Sequence, residues 1–155
     1  MTHKFGICLY MPDMPQNLGV IIRTAACLEF PLHIIKPLSF SMTDKRFKGA
    51  VMDYIDQCEI VNHDDWNNFE KYCDSNNKRI VLATTKTNNS FYNYSFSNSD
   101  IILFGKETAG VPQEIHKKVI EKITIPINQK TRSLNLATSV SVSYTHLTLP
   151  TTTSV

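Results

Sequence analysis

The chain has 155 residues, of which 42% are hydrophobic and 19% charged, and its formal net charge is +2. That much apolar material supports one packed domain and excludes a disordered chain. The mild basicity, with a pI near 8.3, allows a nucleic-acid partner without demanding one, because dedicated nucleic-acid modules carry more charge.

Phe5, Ile7 and Leu9 alternate with smaller residues and predict a first strand ending near Tyr10. Residues 11–16 carry two prolines and read as a loop. Asn17 then sits where a helix N-cap belongs, and Leu18, Ile21, Ile22, Ala25 and Leu28 fall on one helical stripe. Leu32–Ile35 predicts a second strand, stopped by Pro37. Residues 44–54 read as a helix with Lys45, Arg46 and Lys48 in its first turns. A short strand over 58–61, a helix over 64–73 broken at Asn76 and Asn77, and a strand over 79–84 follow. A polar stretch rich in Asn and Ser runs to Ser99. The chain then predicts a strand over 101–104, a helix over 112–119, a strand over 123–127 and a helix start capped by Ser133 or Asn135. Strands and helices thus alternate along the chain, which predicts an α/β architecture with a mainly parallel sheet.

Cys8, Cys27, Cys58 and Cys73 form no C-x-x-C pair, so no structural zinc is expected; three of the four sit in apolar or amphipathic stretches, where a buried free thiol is the ordinary reading, and a reducing cytoplasm is the default compartment. The N-terminus enters a strand-like run without a long apolar segment, and no apolar run reaches ~18 residues. Neither a secretory signal nor a membrane span is expected.

The end of the chain differs in composition. After Arg132 no Asp, Glu, Lys or Arg occurs through Val155. Residues 142–151 (VSYTHLTLPT) resemble translated sequencing-adapter DNA. We therefore expect a domain over residues 1–141 and, over 142–155, a non-native tail in place of a C-terminal helix. The alternative is a genuine polar terminus.

Three segments carry chemistry. In Pro15-Gln-Asn17-Leu-Gly19-Val-Ile-Ile-Arg23, Gly19 and Arg23 lie one turn apart, which sets open backbone beside a fixed cation suited to phosphate or carboxylate; an exposed arginine with an incidental glycine is the alternative. In Leu103-Phe-Gly105-Lys-Glu107-Thr-Ala-Gly110-Val-Pro112, glycines follow an apolar strand, where open α/β sheets bind ligands. The spacing matches neither a P-loop nor a Rossmann fingerprint. In the third, Ile125-Pro-Ile127 leads through a polar loop to Arg132-Ser133-Leu134-Asn135-Leu136.

Taken together and in this order, N-x-G-x-x-x-R, F-G-x-E-x-x-G-V-P and I-P-I followed by R-S-L-N-L resemble the SPOUT methyltransferases. They are most similar to the small tRNA methyltransferases acting on the ribose 2′-oxygen of the wobble cytidine or uridine. The resemblance covers Phe5 to about Val140. It implies a C-terminal trefoil knot, S-adenosylmethionine as methyl donor, no metal, and a site completed across a homodimer. By position it implies cofactor contacts at Ala83, Thr84, Gly105, Glu107, Ile125, Ser133 and Leu134. Arg23, Asn17, Glu107 and Asn135 take the catalytic places, and Lys45, Arg46 and Lys48 are candidates to meet the phosphates of a tRNA anticodon stem-loop. Lys117, Lys118 and Lys122 form a second basic group, and Lys130 and Arg132 flank the third segment. A ribosomal-RNA methyltransferase and a non-catalytic RNA- or S-adenosylmethionine-binding protein are the competing readings.

Overall fold

The computed structural model describes residues 5–131 and 133–148, with backbone alone at 147 and 148. Six strands form one parallel sheet in the order β3-β2-β1-β5-β4-β6: β1 Gly6–Tyr10, β2 Leu32–Ile35, β3 Ile60–His63, β4 Arg79–Ala83, β5 Asp100–Phe104 and β6 Glu121–Ile123. Every residue of β1, β2 and β5 is buried, as expected for strands covered on both faces. Alternation divides them. Ile7, Leu9, Leu32, Ile34, Ile102 and Phe104 point into one core; Cys8, Tyr10, Ile35, Ile101 and Leu103 point into the other.

Helices α1 (Pro15–Leu28), α2 (Lys45–Val51) and α5 (Leu136–Thr148) contribute to the first core, whereas α3 (Trp66–Ser75) and α4 (Gln113–Lys118) contribute to the second. The stripe of α1 is buried at Leu18, Ile21, Ile22 and Ala25, but Leu28 faces outward at the end of the helix. Asn17 is not the N-cap. Met14 holds that place in extended conformation and Pro15 opens the helix, its fixed φ already helical and its missing N–H no loss in the first turn. Asn17 is thereby carried inside the helix and buried.

Several boundaries differ from the sequence expectation for local reasons. Asp44 caps α2 by accepting from the Arg46 N–H at 2.8 Å, and the helix stops at Val51, followed by a separate 3₁₀ turn over Tyr54–Gln57. β3 starts two residues late because Cys58 is engaged in that turn and Glu59 only lends its carbonyl to Leu32. β6 covers Glu121–Ile123, not 123–127. Past Ile123 the chain bonds to Asn89 and Phe91 through Thr124, and Pro126 offers no N–H to a ladder.

The long polar segment between β4 and β5 is strapped down at its far end. Arg79 grips the fully buried Asp100 through two hydrogen bonds of 2.7 and 2.9 Å, donates to the Ser95 carbonyl and lies over the Tyr94 ring. In the second core, His33 and His63 stack with Nδ1 and Nε2 2.9 Å apart, buried against Phe69 and Tyr72. Burial, then the neighbouring His63 and Lys78, push His33 down to about 4, and burial lowers His63 as well, which favours neutral rings joined by one N–H···N bond.

Helix α5 runs through residue 142, where a change to a non-native tail is expected. Tyr144 packs on Phe30 and Phe5 with ring centroids 4.4 and 4.9 Å apart. Ser143, one residue earlier, is fully buried and its hydroxyl has no hydrogen-bond partner among the described residues. Among the described residues no helix is long and apolar enough to cross a membrane, and no three His, Cys, Asp or Glu side chains are grouped to hold a metal.

Candidate active site

A cleft of about 710 Å³ opens at the carboxyl ends of β4, β5 and β6, the end at which open α/β sheets bind ligands. Three loops wall it. Ala83 and Thr84 enter from β4, Gly105 and Glu107 from β5, and Ile125, Ser133 and Leu134 from the segment between β6 and α5. All seven positions expected to touch S-adenosylmethionine therefore line one cavity. Its volume lies within the usual 300–1,000 Å³ of small-molecule sites. Its lining mixes apolar residues, Leu82, Ile125, Leu134 and Leu136, with polar ones such as Thr84 and Asn135, which fits a flat base attached to a polar chain.

The β5 loop needs its glycines. A Cβ on Gly105 would lie 2.5 Å from the Gly110 backbone, and residues 106 and 110 exchange two backbone hydrogen bonds across a tight turn. Gly110 closes that turn at φ +66°, a conformation natural to glycine.

At the cleft's edge a relay of polar side chains ties three distant segments together. Asn135 Nδ2 donates to Asn17 Oδ1 at 3.1 Å, and Asn17 Nδ2 donates to Glu107 Oε2 at 3.0 Å. Asn135 is also the cap of α5, its Oδ1 accepting from the Thr138 N–H. Three of the four expected catalytic residues are thus in direct contact.

Asp13 belongs to the same relay and carries no sequence signal, being one polar residue in a proline-rich loop. Its N–H donates to Glu107 Oε1 at 3.3 Å, and the Thr108 hydroxyl donates to its Oδ2 at 2.5 Å. Its Oδ1 is buried and unpartnered among the described residues. Burial raises the Glu107 carboxyl, and the adjacent Asp13 raises it further against the opposing effect of Asn17. In Asp13 burial also acts upward, but Glu107, Thr108, its own N–H and Lys106 outweigh it and the carboxyl is lowered. The two neighbouring acids are thus pushed in opposite directions, Glu107 up and Asp13 down. His116 is a second residue missed by motif reading. It lines the cleft with Nε2 3.3 Å from Thr84 Oγ1, and burial, Lys122 and Lys86 lower its pKa.

Arg23 stands apart. It lies on α1 outside the cleft, its guanidinium over the Tyr54 ring at 5.4 Å, and among the described residues it makes no ion pair. Gly19, one turn before it, does not present open backbone to a ligand. It is buried under α2, where a Cβ would meet the Ala50 Cβ at 2.5 Å and the Val51 nitrogen at 2.9 Å. The glycine is there for helix packing.

Lys45, Arg46 and Lys48 are exposed on α2, but Arg46 is held by Asp44 through two contacts of 3.0 and 3.2 Å, so Lys45 and Lys48 are the freer charges. In the second basic group Lys118 pairs with Glu70 and Lys122 donates to the Val119 carbonyl. Arg132 lies outside the described residues.

The model of the SpoU rRNA Methylase family matches residues 4–145. The tRNA (cytidine(34)-2′-O)-methyltransferase of Ancylobacter novellus is 40% identical over 132 residues, covering 85% of this chain and 84% of that protein. A solved structure described as "Structural insights into the 2-OH methylation of C/U34 on tRNA" superposes with a TM-score of 0.87 at 34% identity, covering 93% of each chain. The SpoU methyltransferase AviRb of Streptomyces viridochromogenes in complex with AdoMet shares the fold at a TM-score of 0.81 and 18% identity, covering 92% of this chain and 58% of that one. With the family model matched over residues 4–145 and a relative 40% identical over most of both chains, this chain belongs to the SpoU methylase family.

Proposed function

We propose that the chain is a homodimeric tRNA methyltransferase that moves a methyl group from S-adenosylmethionine to the ribose 2′-oxygen of the wobble cytidine or uridine in the anticodon loop. The observation that carries this is the 40% identity to a tRNA (cytidine(34)-2′-O)-methyltransferase over 84% of its length. The seven cofactor positions gathered in one cleft support it.

When bound, S-adenosylmethionine supplies a methyl group on a positively charged sulfur. Transfer forms a carbon–oxygen bond at the ribose, breaks the carbon–sulfur bond and releases the hydroxyl proton. The protein's part is to hold the hydroxyl in line with the methyl carbon and to ease the loss of its proton. Asn17, Asn135 and Glu107, locked to one another, are placed to orient these groups. Arg23 is a poor general base because a guanidinium stays protonated. Its role in this reading is to grip the phosphate beside the target ribose and stabilise the developing alkoxide. Lys45 and Lys48 meet further phosphates of the anticodon stem-loop.

Arg23 lies outside its own chain's cleft, which supports a site completed by a second copy. Val20 and Leu28, exposed apolar residues on the same helix, supply surface for that contact. The trefoil knot belongs to the same reading, as does a cytoplasmic location, where tRNA is found. We keep residues 142–155 as a non-native tail; the absence of charge after Arg132 and the orphaned Ser143 hydroxyl support this.

Incubation with labelled S-adenosylmethionine and bulk tRNA, followed by digestion to nucleosides and mapping, tests the assignment. Label in 2′-O-methylated cytidine or uridine at the wobble position is expected. Transfer to ribosomal RNA instead would replace the acceptor, and cofactor binding without transfer to either would leave a binding protein. A parallel chain with a charged amphipathic helix restored after residue 141 should be the more active one.

A further inference from the structure

The proposed role of Arg23 raises a physical problem. A cation meant to meet a phosphate has to be held in place beforehand, yet an acidic partner would neutralise it. The other two described arginines are fixed by carboxylates: Arg79 by Asp100 and Arg46 by Asp44. Arg23 makes no such pair among the described residues, and its guanidinium rests on the face of Tyr54 at 5.4 Å. An aromatic face attracts a cation through its quadrupole while leaving the N–H donors around the guanidinium edge free.

The chain builds this contact through close helix packing. Gly19 admits Ala50 and Val51 against α1. Arg23 follows Gly19 by four residues, one helical turn along α1, and Tyr54 follows Ala50 by four, at the head of the 3₁₀ turn over Tyr54–Gln57. The approach permitted by the glycine brings α2 and the turn after it against α1, and the ring against the guanidinium. Met52, at φ +53°, marks the sharp turn that ends α2 and swings Tyr54 back toward α1. The glycine and arginine of the N-x-G-x-x-x-R segment thus act as one device, with an aromatic residue outside the segment as its third part.

We infer that Tyr54 is a positioning residue for Arg23: its ring face holds the guanidinium ready for the RNA phosphate without neutralising it. This rests on the reading that Arg23 acts on the RNA. Tyr54 itself touches neither the cleft nor, in this account, the substrate, and the ring face is what is required, not the hydroxyl.

The test compares Tyr54→Phe and Tyr54→Leu with the unaltered protein, with Arg23→Ala as reference. S-adenosylmethionine affinity, thermal midpoint, kcat and KM for tRNA are measured on each. Tyr54→Phe should keep near-normal kinetics. Tyr54→Leu should lose roughly tenfold in kcat/KM for tRNA, with cofactor affinity unchanged. Fluorinated phenylalanines at position 54 keep the packing and weaken the ring's negative face step by step. Turnover should fall in the same order, which keeps the inference testable should the leucine variant fold poorly. Equal kinetics across the fluorinated series, or equal losses in the phenylalanine and leucine variants, overturns the inference. An Arg23→Ala protein with normal turnover overturns instead the role given to Arg23, and is distinguishable because it does not depend on Tyr54.

Discussion

The cleft and the Arg23 region are built in different ways. The cleft is lined by three loops at one end of the sheet, shaped by glycines and backbone, and every expected cofactor position falls within one chain. The Arg23 region is made of packed helices, with a glycine buried to bring α2 close and a ring set beneath a cation. Arg23 is not among the residues that line the cleft of its own chain. In the function proposed, the difference separates two tasks, binding the methyl donor and presenting the RNA. Lesions in the two regions should therefore fail in different measurements.

The largest effect is expected from Arg23→Ala. It should lower kcat/KM for tRNA by roughly 10²–10³-fold, the usual loss for a group stabilising developing negative charge, and leave equilibrium binding of S-adenosylmethionine alone. Gly105→Val should do the reverse. Its side chain would collide with the Gly110 backbone, and calorimetry should show cofactor affinity reduced roughly 100-fold as the loop opens. If both variants lost cofactor affinity equally, the separation would be wrong.

A third prediction concerns the sheet that carries both regions. His33 is held neutral in the folded chain at a pKa of about 4, against an ordinary 6.5. Its folded pKa is depressed, so the unfolded chain binds the extra proton. The stability is full above about pH 6.5 and is lost as pH falls toward 4, by about 3 kcal/mol in all. Urea unfolding from pH 7 to pH 4 should show this slope, and His33→Gln should flatten it. Gly19→Ala follows. Forcing a methyl group against Ala50 and Val51 should cost about 1–3 kcal/mol in thermal unfolding and reduce tRNA turnover more than cofactor binding. The smallest effect is expected from Asp13→Asn. The backbone N–H that donates to Glu107 is kept and only the acceptor of the Thr108 hydroxyl loses its charge, so tRNA turnover should change only a few-fold.

Much of this molecule was readable where the cause of structure is local. β2 is found over the expected residues because a buried parallel strand is a short apolar run bounded by turns. The cofactor positions follow from the family resemblance, and the loops after β4, β5 and β6 bring those residues to one cleft. What escaped depends on contacts far apart in sequence. Asp13 meets Glu107 across 94 residues and Asn17 meets Asn135 across 118; His33 and His63 find each other because β2 and β3 are neighbours. Asn17 was given a cap's role because its type suits one, but the proline two residues earlier had already begun the helix. Gly19 was read as open to a ligand because helical projection shows which residues share a face, not what presses on that face.

The most direct test of the divided site is subunit complementation. Arg23→Ala and Gly105→Val chains, each inactive alone, would be co-expressed so that mixed dimers form, and methyl transfer to tRNA measured. If the arginine of one copy serves the cleft of the other, each mixed dimer has one intact site, and activity should return to roughly a quarter of the unaltered level for random pairing. Mixed dimers with no recovered activity would contradict a site shared between copies and return Arg23 to the service of its own chain.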